Sequence, residues 1–468
     1  MPDKEGRLKK HRTHHRTTET PLFRSTHILS GATLYERPAQ SAQAFQTALS
    51  GLKTRQRAFA ALSATERAAA LEAFGGRLEA ESGRLARMIC EEVGRCLREC
   101  EAELAKSVEL VRYYARTAPE LLAAKAVPTQ AAVSEVRFEP LGVVFAVMPW
   151  NYPVWQILRF AVPALCAGNA CAVKPAPSVA RVSAALFDLV SDGLPLMPAW
   201  LSHADVEHAI AACDAFAFTG SADTGRRLAA IAAGRLKKSV LELGGSNAFI
   251  VLPDADLAQA ARDACYSRFR DAGQSCNAAK RIILAEEIAE PFLRLFLAEC
   301  AKLKSGDPLD PATTLAPMHR GDLREKVHAQ VQDTVAQGAK LLCGGHIIAG
   351  SGFFYPATVL DHVPPHSRMW QEEVFGPAVA VARARDAQHA VALANDSPYG
   401  LGASIYTADE NTARRLAGQL QTGAVYINRH TSSDLRLPFG GVKASGYGRE
   451  LSEFGLYEFV NVKTYWQK

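Results

Sequence analysis

No run of apolar residues in this chain reaches the ~20 needed to cross a bilayer as a helix, so no membrane partner is expected. Cysteine is sparse: ten in 468 residues, with no tight spacing that repeats. The one close pair, Cys96 and Cys100 in CLREC, falls on a helical pattern with no histidine nearby; it reads as helix packing, and no metal is expected. Thiols without a disulfide framework fit a reducing compartment, most simply the cytoplasm. Charge of one sign is also scarce. The net charge is +5, and much of the surplus sits in MPDKEGRLKKHRTHHRTTETPLFR at the start. The remainder makes no case for a nucleic-acid partner. That tail has no apolar core behind its basic residues, so a secretory signal is not expected. Asp3, Glu5 and Glu19 weaken a transit-peptide reading, and HRTHH reads as a solvated arm before it reads as a metal site.

What is present is ordinary globular composition, 48% hydrophobic and 22% charged, in a length that suggests more than one domain. Helical periodicity runs through ATERAAALEAFGGRLEAESGRLARMICEEV and AELAKSVELVRYYART. The second half of APELLAAKAVPTQAAVSEVRFEP alternates like an edge strand. Then continuous apolar strands alternate with helices: VVFAVMPW, ACAVKPA, AFAFTGS and KSVLELGG. After Gly245 the alternation restarts with NAFIVL, AAKRIILAE, KLLCGG, AVAVARA, ASIYT and GAVYIN. This predicts two α/β halves, each a doubly wound parallel sheet, hinged near LELGG. The closing EFVNVKTYW is a lone strand that wants a sheet edge, on this chain or another.

The chemistry-bearing residues stand at the ends of these strands. No G-x-G-x-x-G follows any of them. FTGSADTG, with Gly220 and Ser221, could aim a helix N-terminus at a phosphate, or merely cap the helix. Lys174, in KPAP, ends a strand where open α/β sheets bind ligands, and could hydrogen-bond a ribose hydroxyl; alone it reads as a surface lysine. Cys276, in FRDAGQSCNAAKR, is flanked by Gly273, Gln274, Ser275 and Asn277. Structural cysteines usually sit among apolar groups, so this one is the candidate nucleophile. A thiolate attacking a carbonyl needs an oxyanion donor, and Asn151 in MPWNYP offers one; the plainer reading is a turn asparagine. A covalent intermediate needs a base to activate water. Glu242 sits in an apolar strand, where isolated burial would raise its pKa, unless a distant cation pairs with it. Gly244 and Gly245 would give its carboxylate room to swing.

In chain order, PLGVVFAVMPWNYP, KPAP, FTGS, LELGGSN, GQSC, EEVFGP, LANDSPYGL and PFGGVKASGYGRE resemble the aldehyde dehydrogenase superfamily, from roughly Arg67 to the C-terminus. NYPVWQILRFAVPALCAGN and RELSEFGLYEFVNV bring the likeness closest to bacterial succinate-semialdehyde dehydrogenases. The resemblance implies Cys276 as nucleophile, Glu242 as general base, and Asn151 with the Cys276 N–H as oxyanion hole. It implies NAD or NADP as cofactor, with Lys174 on the adenosine ribose, Ser221 and Gly220 at the pyrophosphate, and Glu373 on the nicotinamide ribose. Phe375, Trp150 and Gly244 would line that site. Arg159 and Arg270, with Ser432 and Ser433, match positions that hold a substrate carboxylate, a task suited to the guanidinium fork. Two arginines converging on one tunnel would be costly to bury without an anion.

The implied architecture adds a small β bridging domain and a homodimer or homotetramer. The expected divisions are a tail over 1–24, a dinucleotide-binding domain over 25–116 and 137–241, a bridging domain over 117–136 and 455–468, and a catalytic domain over 242–454. The final strand would then pair with a partner subunit. Four departures stand out. Pro177 replaces a glutamate common in NAD-strict relatives. Asp271 replaces an asparagine and, if ionised, would oppose a thiolate at Cys276. The stretch from GLPLMP to AFAFTG is short, which would weaken dinucleotide binding. Ala278 removes the redox-switch cysteine pair of some relatives. Glutarate semialdehyde, an aromatic aldehyde, a non-catalytic scaffold and a thiol hydrolase remain as competing readings.

Overall fold

The computed structural model describes residues 21–191 and 193–468. The tail expectations for residues 1–20 lie outside these; Leu22–Arg24, placed in the tail from sequence, belong instead to the strand Leu22–Thr26. That strand pairs antiparallel with Thr33–Pro38, and its Phe23 packs on Trp200 and Ala180, which explains why a polar-looking start is ordered.

The first sheet runs in the order Gly446–Tyr447, Lys238–Glu242, Ala215–Thr219, Val143–Val147, Ala170–Lys174, Leu196–Pro198. The second runs Lys340–Cys343, Thr358–Asp361, Ala378–Ala384, Ala279–Ala285, Asn247–Val251, Gly402–Tyr406, Ala424–Ile427. Central strands such as Ala215–Thr219 and Asn247–Val251 are buried at every residue, as helices on both faces require. Each sheet is parallel except for one antiparallel pair at an edge: Gly446–Tyr447 on Lys238–Glu242, and Lys340–Cys343 on Thr358–Asp361. Thr358–Asp361 and Leu196–Pro198 are too short to stand out by periodicity. Because Gly446–Tyr447 completes the first sheet, the chain crosses the division placed from sequence at residue 242.

The final strand, Val460–Gln467, finds its edge within the chain: it pairs along its length with Val133–Pro140, which also holds Lys125–Ala126. The partner-subunit pairing expected of it is therefore not its first pairing; one edge stays open, with Val462 and Trp466 exposed. The helix Leu97–Leu121 runs past residue 117 and Val133–Pro140 past residue 136, so this small sheet is offset from the boundaries read in sequence.

The site is tied together by a buried charge network. Arg95, just ahead of helix Leu97–Leu121, pairs with Glu103 on that helix and with Asp271 at 2.6 Å. Glu103 in turn accepts the N–H groups of Val154 and Trp155, capping helix Pro153–Cys166. Asp271 also accepts the Tyr152 hydroxyl, and its own N–H donates to Glu99. Asp271, Ala272 and Gly273 all sit at positive φ, an arrangement that costs energy for the first two and needs such anchoring. This turn leads directly to Cys276. Arg95→Met should strand two buried carboxylates and lower stability by about 3–5 kcal/mol in urea unfolding. The same change at the solvent-facing Arg112, paired with Glu79, should cost far less. Equal losses would contradict the anchoring role.

Candidate active site

Two cavities meet at Cys276. The larger, about 610 Å³, is lined by Trp150, Asn151, Lys174, Gly220, Ser221, Glu242, Gly244, Glu373 and Phe375. The smaller, about 170 Å³, is lined by Arg159, Arg270, Ser432 and Ser433. Cys276 and Gln156 border both. Every residue given a catalytic, cofactor or substrate role by the resemblance thus lines one cavity or the other at a single thiol. The topology explains the convergence. Asn151, Lys174, Gly220 and Glu242 stand at or just beyond the carboxyl ends of four strands of the first sheet, where α/β folds bind ligands. Cys276 precedes strand Ala279–Ala285 of the second sheet.

In the larger cavity, the Asn151 side-chain amide donates to the Gln274 carbonyl at 3.0 Å, which fixes it against the loop carrying the thiol. Glu242 is 2% exposed and neither of its carboxylate oxygens has a hydrogen-bond partner among the described residues. Burial, and then the neighbouring Glu450, push its pKa well above the usual carboxylate range, against the pull of Arg159 and Arg449. The space at its carboxylate comes from Gly440, where a Cβ would stand 2.8 Å from Glu242 Oε1. Gly244 and Gly245, given that task from sequence, serve other neighbours: a Cβ at 244 would meet the Glu373 carboxylate at 2.3 Å, and one at 245 the Cys276 carbonyl at 2.6 Å.

Glu373 accepts the Gly245 N–H at 3.0 Å and lies 3.4 Å from Lys280 Nζ. Lys280 also donates to the carbonyls of Ser275 and Cys276, both at 2.8 Å. Trp150 stacks on His319 with centroids 4.2 Å apart and meets the edge of Phe375 at 5.8 Å, making an aromatic wall beside the thiol. Ser221 holds the N-cap position of helix Ala222–Ala233, but its hydroxyl donates to Thr224 rather than capping, so the first N–H groups stay open. Lys174 is 1% exposed and burial lowers its pKa to about 8, with no counter-charge to oppose that. An orphaned lysine and an open helix N-terminus in one cavity fit the ribose and phosphates of a dinucleotide. The shortened stretch ahead of AFAFTG leaves this cavity intact: helix Val206–Ala212 leads into strand Ala215–Thr219.

In the smaller cavity the Tyr426 hydroxyl donates to the Ser432 carbonyl, and Ser433 binds Lys106. Arg159 is paired with the buried Glu450, so the anion it requires is supplied from within the chain. Arg270 lies 4.0 Å from Asp271, a carboxylate already engaged by Arg95 and Tyr152. Burial would raise Asp271, but Arg95, Arg270 and Tyr152 outweigh it and hold its pKa below the usual range. Its negative charge is spent on these partners. Glu242 and Glu373 bear on the thiol more than Asp271 does, so the opposition to the thiolate expected of Asp271 is the smaller part.

Of the ten cysteines, Cys276 and Cys343 alone are not fully buried. Surrounding bulk pushes the Cys276 thiol up to about 11, against the pull of Arg159 and Lys280. Sequence reading missed Lys106, Gln156, Lys280, Gly440 and Glu450. Glu450 and Gly440 lie within PFGGVKASGYGRE, Gln156 within NYPVWQILRF and Lys280 within FRDAGQSCNAAKR, but none was given a role there; Lys106 lies on a helix with no motif. Since the thiol titrates near 11, alkylation of Cys276 by iodoacetamide should rise about tenfold per pH unit from 7 to 9, followed by peptide mass spectrometry. A plateau below pH 8 would contradict this electrostatic reading.

The model of the Aldehyde dehydrogenase family matches residues 15–465. The chain is 45% identical over 407 residues to succinate semialdehyde dehydrogenase [NAD(P)+] Sad of Escherichia coli (strain K12), covering 86% of this chain and 88% of that protein. It is 42% identical over 412 residues to succinate-semialdehyde dehydrogenase [NADP(+)] of Mycobacterium avium (strain 104), covering 86% of this chain and 87% of that one. The crystal structure of succinic semialdehyde dehydrogenase from Streptococcus pyogenes in complex with NADP+ superposes with a TM-score of 0.92 at 30% identity, covering 95% of this chain and 99% of that one. With the fold, the two-cavity site and these likenesses in agreement, this chain belongs to the aldehyde dehydrogenase family.

Proposed function

We propose that this protein oxidises succinate semialdehyde to succinate with NAD or NADP, through a covalent intermediate on Cys276. The observation that carries this is the small cation-lined cavity opening onto the thiol, opposite a cavity of dinucleotide size. The Cys276 thiolate adds to the aldehyde carbon. Asn151 and the Cys276 N–H hold the resulting oxyanion. A nicotinamide, when bound, would supply the hydride acceptor, and Trp150 and Phe375 would help hold it. Loss of hydride leaves a thioester on Cys276. Glu242 then takes a proton from water, whose oxygen attacks the thioester and frees the acid and the thiol. A turn of Glu242 away from Glu450 toward the open cavity would relieve both causes of its raised pKa.

The far carboxylate of the semialdehyde would occupy the smaller cavity, among donors that include Arg270 and the Ser432–Ser433 loop. The open edge of Val460–Gln467 supports assembly as a homodimer or homotetramer, and ten free cysteines fit the cytoplasm. No helix among the described residues is long and apolar enough to cross a membrane.

The test is a substrate panel read at the reduced-nicotinamide absorbance with both cofactors. Succinate semialdehyde should exceed butanal, its uncharged counterpart, by roughly 100-fold in kcat/KM, the scale of charge-assisted hydrogen bonds desolvated in a pocket. Equal values would remove the carboxylate from the recognition scheme.

A further inference from the structure

Four cations line the smaller cavity: Arg95, Lys106, Arg159 and Arg270. A buried cation needs an anion, so each can be asked where its partner is. Arg95 has Glu103 and Asp271. Arg159 has Glu450, itself 3% exposed. Arg270 has only a 4.0 Å approach to Asp271, whose oxygens are taken by Arg95 and Tyr152. Lys106 has no carboxylate partner among the described residues. Its ammonium donates to the Ser433 carbonyl at 2.9 Å and hydroxyl at 2.5 Å, and lies 4.7 Å from the Trp155 ring centroid. An ammonium has three donors, and these two bonds leave one over.

We propose that Lys106, together with Arg270, forms the carboxylate-binding end of the substrate cavity, with the Ser433 loop holding Lys106 in place, and that Arg159 has its counter-charge in Glu450. The inference rests on the semialdehyde reading above and assigns which cations serve it. The substrate's carboxylate is then the missing anion for two like charges that otherwise repel. Arg159, bound to a carboxylate that neighbours Glu242, belongs to the electrostatics of the base.

A pH dependence follows. Lys106 is lowered to about 8, first by burial and then by Arg159 on helix Pro153–Cys166 and Arg270 on the nucleophile loop; Asp434 and Glu109 pull the other way. Only the ammonium binds a carboxylate. The free protein should therefore bind the semialdehyde well below pH 8 and progressively worse above it, as the ammonium loses its proton.

The experiment measures kcat and KM for succinate semialdehyde and butanal, at saturating NADP, in the full-length protein and in Lys106→Met and Lys106→Arg. In Lys106→Met the ratio of the two kcat/KM values should fall roughly 10- to 100-fold, chiefly through KM for the semialdehyde, as expected for one lost charge-assisted bond. Lys106→Arg should recover part of the ratio. The wild-type ratio should decline between pH 7 and 9, and Lys106→Arg should not show that decline, since its guanidinium stays charged. A folded Lys106→Met protein with an unchanged ratio overturns the assignment of Lys106. If that variant does not fold, a flat wild-type ratio from pH 7 to 9 overturns it equally. A wild-type protein that does not distinguish the two aldehydes at pH 7 overturns the substrate reading instead, so the two failures are separable.

Discussion

A charge removed from water must be met by another charge or by donors and acceptors that replace the water. Around Cys276 almost every charge is so removed, and this constraint orders the site. Arg95, Glu103 and Asp271 satisfy one another and hold the left-handed turn that carries the nucleophile. Arg159 and Glu450 supply one another's counter-charge beside the candidate base. What remains unsatisfied is informative: Glu242 without a partner, Lys174 without a counter-charge, Arg270 and Lys106 without carboxylates of their own. The first group builds the site; the second is what a dinucleotide, a water molecule and an anionic substrate would complete.

The same constraint accounts for the resting state. Burial pushes the Cys276 thiol up to about 11, and burial with the neighbouring Glu450 pushes Glu242 well above the usual carboxylate range. Each becomes competent only when the environment changes, for the thiol by added positive charge or a relieved neighbouring carboxylate, for Glu242 by a swing away from Glu450. A site that is quiet when empty protects an accessible thiol from idle chemistry.

The fold was legible because buried parallel strands announce themselves as unbroken apolar runs: VVFAV, AFAFT and NAFIV each became a fully or nearly fully buried strand. The three- and four-residue strands Leu196–Pro198 and Thr358–Asp361, and the edge pairing of Gly446–Tyr447, escaped, since a few residues carry no period. Cys276, Asn151 and Glu242 stood out because each was chemically odd in its setting: a thiol among polar residues, an amide at a strand end, a carboxylate in an apolar strand. Lys106, on a helix, and Glu450, on a short bridge to Phe439, did not, because a charged side chain looks solvent-facing until tertiary packing buries it. Asp271 was misjudged for the same reason; its partner Arg95 lies 176 positions away.

The central claim is that the sulfur of Cys276 carries the substrate between hydride loss and hydrolysis, with Glu242 opening the second stage. Glu242→Gln, mixed with succinate semialdehyde and NADP and quenched in acid, tests it by mass spectrometry. The account predicts one equivalent of reduced nicotinamide and a succinyl mass on the peptide bearing Cys276. Steady turnover with no such adduct, or a succinyl group on any other residue, would contradict it.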